Sequence, residues 1–178
     1  MAPKSTIYKA ELQVADMDRN YYGSHALTLA LHPSETLERM MVRLLAFGLH
    51  AEESLCFGNG LSADDEPDLW KKDLTGAIAL WIDVGLPEEK LVKKACSRAE
   101  AVYVYAYGRT SELWWKQQKL DRLENLSVLS IPHLSSQALA KLASRSMKLD
   151  CTVQEGQIWL GNGSESVQLE LSKLKMQA

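Results

Sequence analysis

Polar and apolar residues alternate from the start of the chain. Thr6, Tyr8, Ala10, Leu12 and Val14 interleave with Lys9, Glu11 and Gln13, the period of a half-buried strand. Asp16-Met-Asp-Arg-Asn20 supplies turn residues. Tyr21 to Leu31 then sets Ala26, Thr28 and Ala30 against Leu27, Leu29 and Leu31, so residues 5–31 read as a β-hairpin. The period changes after His32-Pro33. Ser34 suits an N-cap and Glu35 a first helical turn, where the macrodipole favours negative charge. The helix runs to about His50, with Leu37, Met40, Met41, Leu44, Phe47 and Gly48 on one face. Steps of about 100° put Glu38 on the flank of that face beside Leu45, and Glu35 nearly opposite.

Further on, Glu53 to Phe57 reads as a short strand, Gly58-Asn-Gly60 as a turn, and Asp64 to Lys72 as a helical turn with Pro67 near its start. Ala77 to Val84 is an apolar strand whose one charge is Asp83; Gly85-Leu-Pro87 ends it. A helix follows, with early acids Glu88 and Glu89 and later bases Lys93, Lys94 and Arg98, over a buried face of Leu91, Val92, Ala95, Cys96 and Ala99. Lys93 and Lys94 flank that face about equally, and periodicity does not choose between them. Strand (102–107), helix (111–123), strand (126–131) and helix (135–146) come next, then strands from 148 to 171 with a tight turn at Glu155-Gly156 and another at Gly161-Asn-Gly163. Alternating strands and helices from 77 to 146 imply parallel pairing, bracketed by antiparallel hairpins.

At 178 residues, 46% hydrophobic and 24% charged, the composition suits one globular domain spanning 1–178. No repeat or composition shift divides it. A net charge of -3 gives no general attraction to nucleic acid and leaves any phosphate affinity to a local patch. The three cysteines, Cys56, Cys96 and Cys151, have neither redox nor zinc spacing, so reduced thiols in a cytoplasmic protein are expected. No apolar run is long enough to span a membrane.

No HExxH, GxSxG, GxxxxGK[ST] or CxxC is present, and the four histidines lack ligand spacing. Carboxylates remain. They are Glu38 on its helix flank, Asp64, Asp65 and Glu66 of an acidic cluster that also holds Asp68, and Asp83 within a strand. A carboxylate buried alone is costly, so Asp83 calls for a partner, a metal or an opening to water. Converging acids make an oxygen site for Mg²⁺, which keeps several waters and favours phosphate substrates. The same residues also read more simply, with Asp64 to Pro67 as a solvated turn, Asp83 as a cap of the following turn and Glu38 as a surface acid.

The chain resembles the YaeQ family of bacterial proteins along nearly its whole length. The matching stretches include Ile7-Tyr-Lys-Ala10, Ala15-Asp-Met-Asp-Arg19, His32-Pro-Ser-Glu-Thr36 with Glu38-Arg-Met-Met41, Ala63-Asp-Asp-Glu-Pro67 with Trp70, and Leu80-Trp-Ile-Asp-Val-Gly-Leu-Pro87. Lys93-Lys-Ala95, Trp114-Trp115 and Ile158-Trp-Leu160 also match. The resemblance implies a variant PD-(D/E)XK, restriction-endonuclease-like fold, which sets a helix acid, a second acid and an acid-x-lysine around Mg²⁺. On that pattern Glu38, Asp65 and Asp83 bind metal, with Asp64, Glu66 and Asp73 as other candidates for the second acid. Gly85 stands where the pattern wants lysine, and Lys94, or Lys93, would take its place.

The expected fold is therefore α/β (α+β), a mixed sheet flanked by helices with an N-terminal hairpin. The expected activity is Mg²⁺-dependent phosphodiester cleavage of nucleic acid by Glu38, Asp65, Asp83 and Lys94. The rival expectation is a catalytically inactive protein of the same fold that binds a protein or nucleic-acid partner.

Overall fold

In a computed structural model, residues 4–59, 61, 63 and 65–177 are described. Contacts divide the chain into two compact units, Met1–Glu52 with Leu134–Glu170, and Glu53–His133 with Leu171–Ala178.

The first unit holds the predicted hairpin, β1 (Thr6–Asp16) and β2 (Tyr21–Leu31), paired antiparallel from Thr6↔Leu31 to Asp16↔Tyr21. Its alternation buries Ala10, Leu12, Val14, Leu27 and Leu29. Asn20 takes the positive φ the turn needs, at 55°. α1 (Leu37–Leu49) starts later than expected. Its cap is Thr36, whose Oγ1 accepts the Arg39 N–H at 3.1 Å, while Ser34 is turned aside to the His32 ring at 2.6 Å. The expected single apolar face is also too narrow a description. All nine residues from Met40 to Gly48 are buried, Arg43 among them, so the helix is enclosed. Gly48 lets it approach the sheet, since a Cβ there would stand 3.2 Å from Cys151 Sγ and 3.6 Å from Leu12 Cδ2.

Arg43 is tolerated inside because Glu35 meets it. The Glu35 side chain is 2% exposed and takes hydrogen bonds from Arg43 Nε and Nη2, each at 2.8 Å, and from Arg39 Nη1 at 2.7 Å. Arg43 Nη2 also donates to the Ala30 carbonyl at 3.0 Å. Glu35, expected to face solvent, is thus the buried acid of this segment; it precedes the first helical turn, where a helical wheel does not apply.

The same sheet is completed by β8 (Ser146–Gln154), β9 (Gln157–Gly161) and β10 (Ser166–Glu170), in the order β10-β9-β8-β1-β2. β8 lies parallel to β1, with Leu12↔Leu149 and Val14↔Cys151 in register. Glu155 and Gly156 both adopt positive φ at the predicted turn. α4 (His133–Lys141) is shorter than expected, which frees Ser146 to begin β8.

The second unit carries a six-stranded sheet, β11-β7-β6-β5-β4-β3. It comprises β3 (Leu55–Phe57), β4 (Leu69–Lys72), β5 (Ile78–Val84), β6 (Ala99–Tyr107), β7 (Leu126–Ile131) and β11 (Ser172–Lys175). As the alternation implied, β5, β6 and β7 are parallel, crossing over through α2 (Glu89–Arg98) and α3 (Ser111–Gln117). The parallel run stops there, because β8 joins β1 in the other sheet. The helical turn expected over 64–72 gives way to β4, which pairs antiparallel with β5 and sets Trp70 opposite Trp81, the kind of cross-strand aromatic pair that favours a ladder. α3 ends at Gln117 instead of reaching 123, because Gln118 turns extended and Leu120 fills the core from a non-helical segment. β11 has no counterpart in the sequence reading.

The core of this unit gathers Trp81, Val92, Ala95, Ala99, Val102, Val104, Leu120, Leu126 and Val128 between α2 and the sheet. Both sheets are mixed, as the fold class required. No helix of the described residues is long and apolar enough to cross a membrane.

Candidate functional site

The chemistry that the second unit offers lies at the C-terminal end of β5. Side chains alternate along a strand, so Trp81 and Asp83 share a face. Trp81 is buried and Asp83 half-buried, and the Trp81 Nε1–H donates to Asp83 Oδ2 at 2.9 Å. Asp83 therefore has a partner on its own strand.

A second carboxylate meets the same strand end. Asp68 is 3% exposed, and its Oδ2 accepts the Val84 N–H at 2.8 Å, bringing that carboxylate to the peptide that follows Asp83. Its backbone is held on both sides, since Asp68 N–H donates to the Ile82 carbonyl at 3.0 Å and Gly58 N–H donates to the Asp68 carbonyl at 2.9 Å. Asp68 thus acts as an extension of β4 whose side chain takes over a ladder position. Sequence reasoning placed it in the acidic cluster but not among the candidate ligands. The signal available in the sequence was the Pro67-Asp68 dipeptide immediately before a strand.

The other acids are used differently. Asp65 is exposed, and what it contributes is its carbonyl, which accepts from Arg98 Nη1 at 2.9 Å. Glu66 Oε2 accepts from Asn59 N and Nδ2, at 3.0 and 2.6 Å. Asp73 builds the β4–β5 turn by accepting from Thr75 Oγ1 at 2.6 Å, Thr75 N at 2.8 Å and Ala77 N at 3.0 Å. The Thr75 hydroxyl, aided by backbone donors, holds that carboxyl below its ordinary pKa. Asp64 lies outside the described residues. Glu38 belongs to the first unit, where its Oε2 accepts from the buried Ser136 Oγ at 2.8 Å.

Of the two lysines that periodicity left open, Lys93 is drawn to Glu89 at 3.3 Å. Lys94 is exposed on α2. Two of the three cysteines do not compete as nucleophiles. Burial pushes the Cys96 thiol up to about 11 and the Cys151 thiol up to about 12, so neither is a thiolate near neutrality.

Among the described residues no group of three or more His, Cys, Asp or Glu side chains could hold a metal ion together. Mg²⁺ does not require such a cage, because it is commonly bound through one or two carboxylates plus waters and substrate phosphates. Asp68 and Asp83 are the hard oxygen donors at this strand end, the first locked in place by the Val84 amide and the second held by the Trp81 indole.

At Gly85, where the nuclease resemblance would expect a lysine, the backbone is no longer that of a strand. Its φ is +104°, in the left-handed region, and its N–H donates to the Tyr105 carbonyl at 2.9 Å. β5 has ended one residue earlier, so a side chain at 85 no longer projects along the strand. Gly85→Lys should lower stability by about 1–2 kcal/mol through the strained backbone and should give no rise in any cleavage activity. Urea unfolding and a cleavage assay check both halves, and a gain in activity would show that the strand lysine can be restored.

Comparison with known proteins places the chain in a lineage. The YaeQ protein family model matches residues 1–171. Proteins named YaeQ from Salmonella typhi and Escherichia coli strain K12 are each 46% identical to this chain, covering 97% of it and 97% of their own length. The crystal structure of the YaeQ protein from Xanthomonas axonopodis pv. citri superposes with a TM-score of 0.93 at 47% identity, covering 96% of this chain and 98% of that one. That of the YaeQ protein from Pseudomonas syringae gives 0.92 at 36% identity, covering 97% of each. With identity this high along almost the full length, and the same fold, the chain belongs to the YaeQ family.

Proposed function

We propose that this chain is a divalent-metal-dependent phosphodiesterase acting on nucleic acid, with Asp68 and Asp83 as its carboxylate pair. The observation that carries the reading is the docking of the buried Asp68 carboxylate on the peptide that follows Asp83. A bound Mg²⁺ would supply Lewis-acid stabilisation of phosphate charge and an acidified water. Trp81 orients Asp83 through the indole N–H, and the Val84 amide fixes Asp68, so neither acid pays for reorganisation when a substrate arrives. Lys94, on the helix that follows the strand, is the cation assigned to offset phosphate charge in place of the absent strand lysine. Asp65, in the same unit, remains a candidate ligand under this reading. The cytoplasm is its compartment, in keeping with three cysteines that stand as free thiols.

Gly85 favours a second reading, in which the fold is kept, the chemistry is lost and the protein binds a protein or nucleic-acid partner. Calorimetric titration with Mg²⁺ and Mn²⁺, paired with a cleavage assay on single- and double-stranded substrates, separates the two. Asp83→Asn should abolish both the binding heat and at least a hundredfold of the cleavage, while its unfolding curve stays close to that of the parent. Cleavage unaffected by that change would remove Asp83 from the reaction. The absence of both heat and cleavage in the parent would leave the binding role.

A further inference from the structure

The geometry points to a track for a single strand of nucleic acid along the outer face of α2, ending on the indole of Trp70. It deepens the phosphodiester reading and rests on it for the choice of a polynucleotide. Lys90, Lys94 and Arg98 are exposed and fall four residues apart, so they form one stripe with steps of about 6 Å along the helix. Lys93 flanks the stripe. Two of these cations have carboxylate neighbours, Lys90 with Glu88 at 3.5 Å and Lys93 with Glu89 at 3.3 Å. Lys90 and Glu88 are 80% and 69% exposed, and exposed pairs of this kind are weak enough to yield to a phosphate.

At the C-terminal end of the stripe, cations and indoles interleave. The Arg98 guanidinium lies 5.0 Å from the centre of the Trp81 ring, and Trp81 meets Trp70 edge to face at 6.1 Å. Lys72 Nζ lies 3.9 Å over the half-buried Trp70 ring. The Arg98 bond to the Asp65 carbonyl fixes the helix end beside this pair of strands. A flexible lysine resting on an indole face marks a surface that a base can take over while the ammonium moves to the phosphate. Stacking of bases on aromatic side chains beside a basic groove is how single strands are held without sequence preference. Paired bases inside a duplex do not offer their faces to Trp70, so the track selects unpaired strands. In a chain of net charge -3, a confined basic stripe of this kind is what gives a polyanion a defined place to land.

The test uses the full chain and a short fluorescein-labelled oligothymidylate, read by anisotropy across a KCl series, with the duplex of the same length beside it. The single strand should bind more tightly than the duplex. Lys90→Gln with Lys94→Gln should weaken binding roughly tenfold and flatten the log–log salt slope by about 1.4, two phosphate contacts at about 0.7 each. Trp70→Ala should cost roughly tenfold with little change in slope. Since Trp70 also braces Trp81, its folding is checked by circular dichroism, and if it unfolds the lysine double variant decides, because those side chains stand in solvent. No binding of the single strand, tighter binding of the duplex, or a lysine variant with the parent's affinity and slope would overturn the track. If the parent binds the strand but cleaves nothing with any divalent ion, the catalytic reading fails and the track stands.

Discussion

Glu35→Ala should lower the unfolding free energy by about 3–5 kcal/mol, the usual cost of removing one partner from a buried ion pair. The change strips a carboxylate that the structure sets against both Arg39 and Arg43, whose side chains are 14% and 7% exposed. Arg43 would keep its bond to the Ala30 carbonyl, which does not neutralise its charge. At roughly 2–4 °C per kcal/mol for a chain of this size, the midpoint of thermal unfolding should fall by about 6–20 °C. The contrasting change is Glu38→Ala, which deletes one hydrogen bond to Ser136 and should cost only about 1 kcal/mol. Side-by-side urea curves settle the ranking. Similar losses for the two variants would mean that the arginines find other compensation. A further variant replacing Glu35, Arg39 and Arg43 together by apolar residues of similar volume should recover much of the loss, since well-packed apolar groups often match or exceed a buried ion network.

Gly58→Ala should cost about 3 kcal/mol, at the upper end of what overpacking does in a rigid site. A Cβ on residue 58 would stand 2.2 Å from the Pro67 carbonyl oxygen, a main-chain atom with no rotamer to escape by. Relief requires moving the segment that carries Asp68, whose carbonyl is bonded to the Gly58 N–H. The same variant should therefore weaken divalent-ion binding, although residue 58 is not itself a proposed ligand. Calorimetry on the folded variant measures this directly. Unchanged metal heat in a destabilised protein would separate the loop's structural role from the carboxylate pair.

The elements that were legible from sequence are those whose periodicity is set by one buried face. The hairpin of β1 and β2 and the parallel strands β5, β6 and β7 emerged nearly at their expected limits. Two kinds of information were hidden. The first is partnership at long range. Nothing local says that β8 pairs with β1, or that Leu120 fills the core without being helical. The second is side-chain competition over short distances. Ser34 and Thr36 are both good caps, and only the His32 ring near Ser34 decides between them. The candidate site shows the same limit. Asp83 was legible as a lone charge in an apolar strand. Its pairing with the Trp81 indole, and the turning of Asp68 rather than Asp65 toward β5, depend on a strand pairing that the acidic cluster did not announce. That Gly85 departs from the acid-x-lysine expected of the resemblance was legible, and its positive φ shows a backbone that suits glycine.

The distribution of the two units along the chain has a consequence for biosynthesis. Residues 53–133 emerge from the ribosome as one continuous stretch and hold five of the six strands of their sheet, lacking β11 alone. The N-terminal hairpin, though made first, must wait for β8, synthesised more than a hundred residues later, before β1 gains its second neighbour. Until then a newly exposed strand edge is open to wrong pairing, the hazard that slow closure of distant contacts brings. Nascent chains halted before Ser146 should accordingly depend more on holding chaperones than finished ones do.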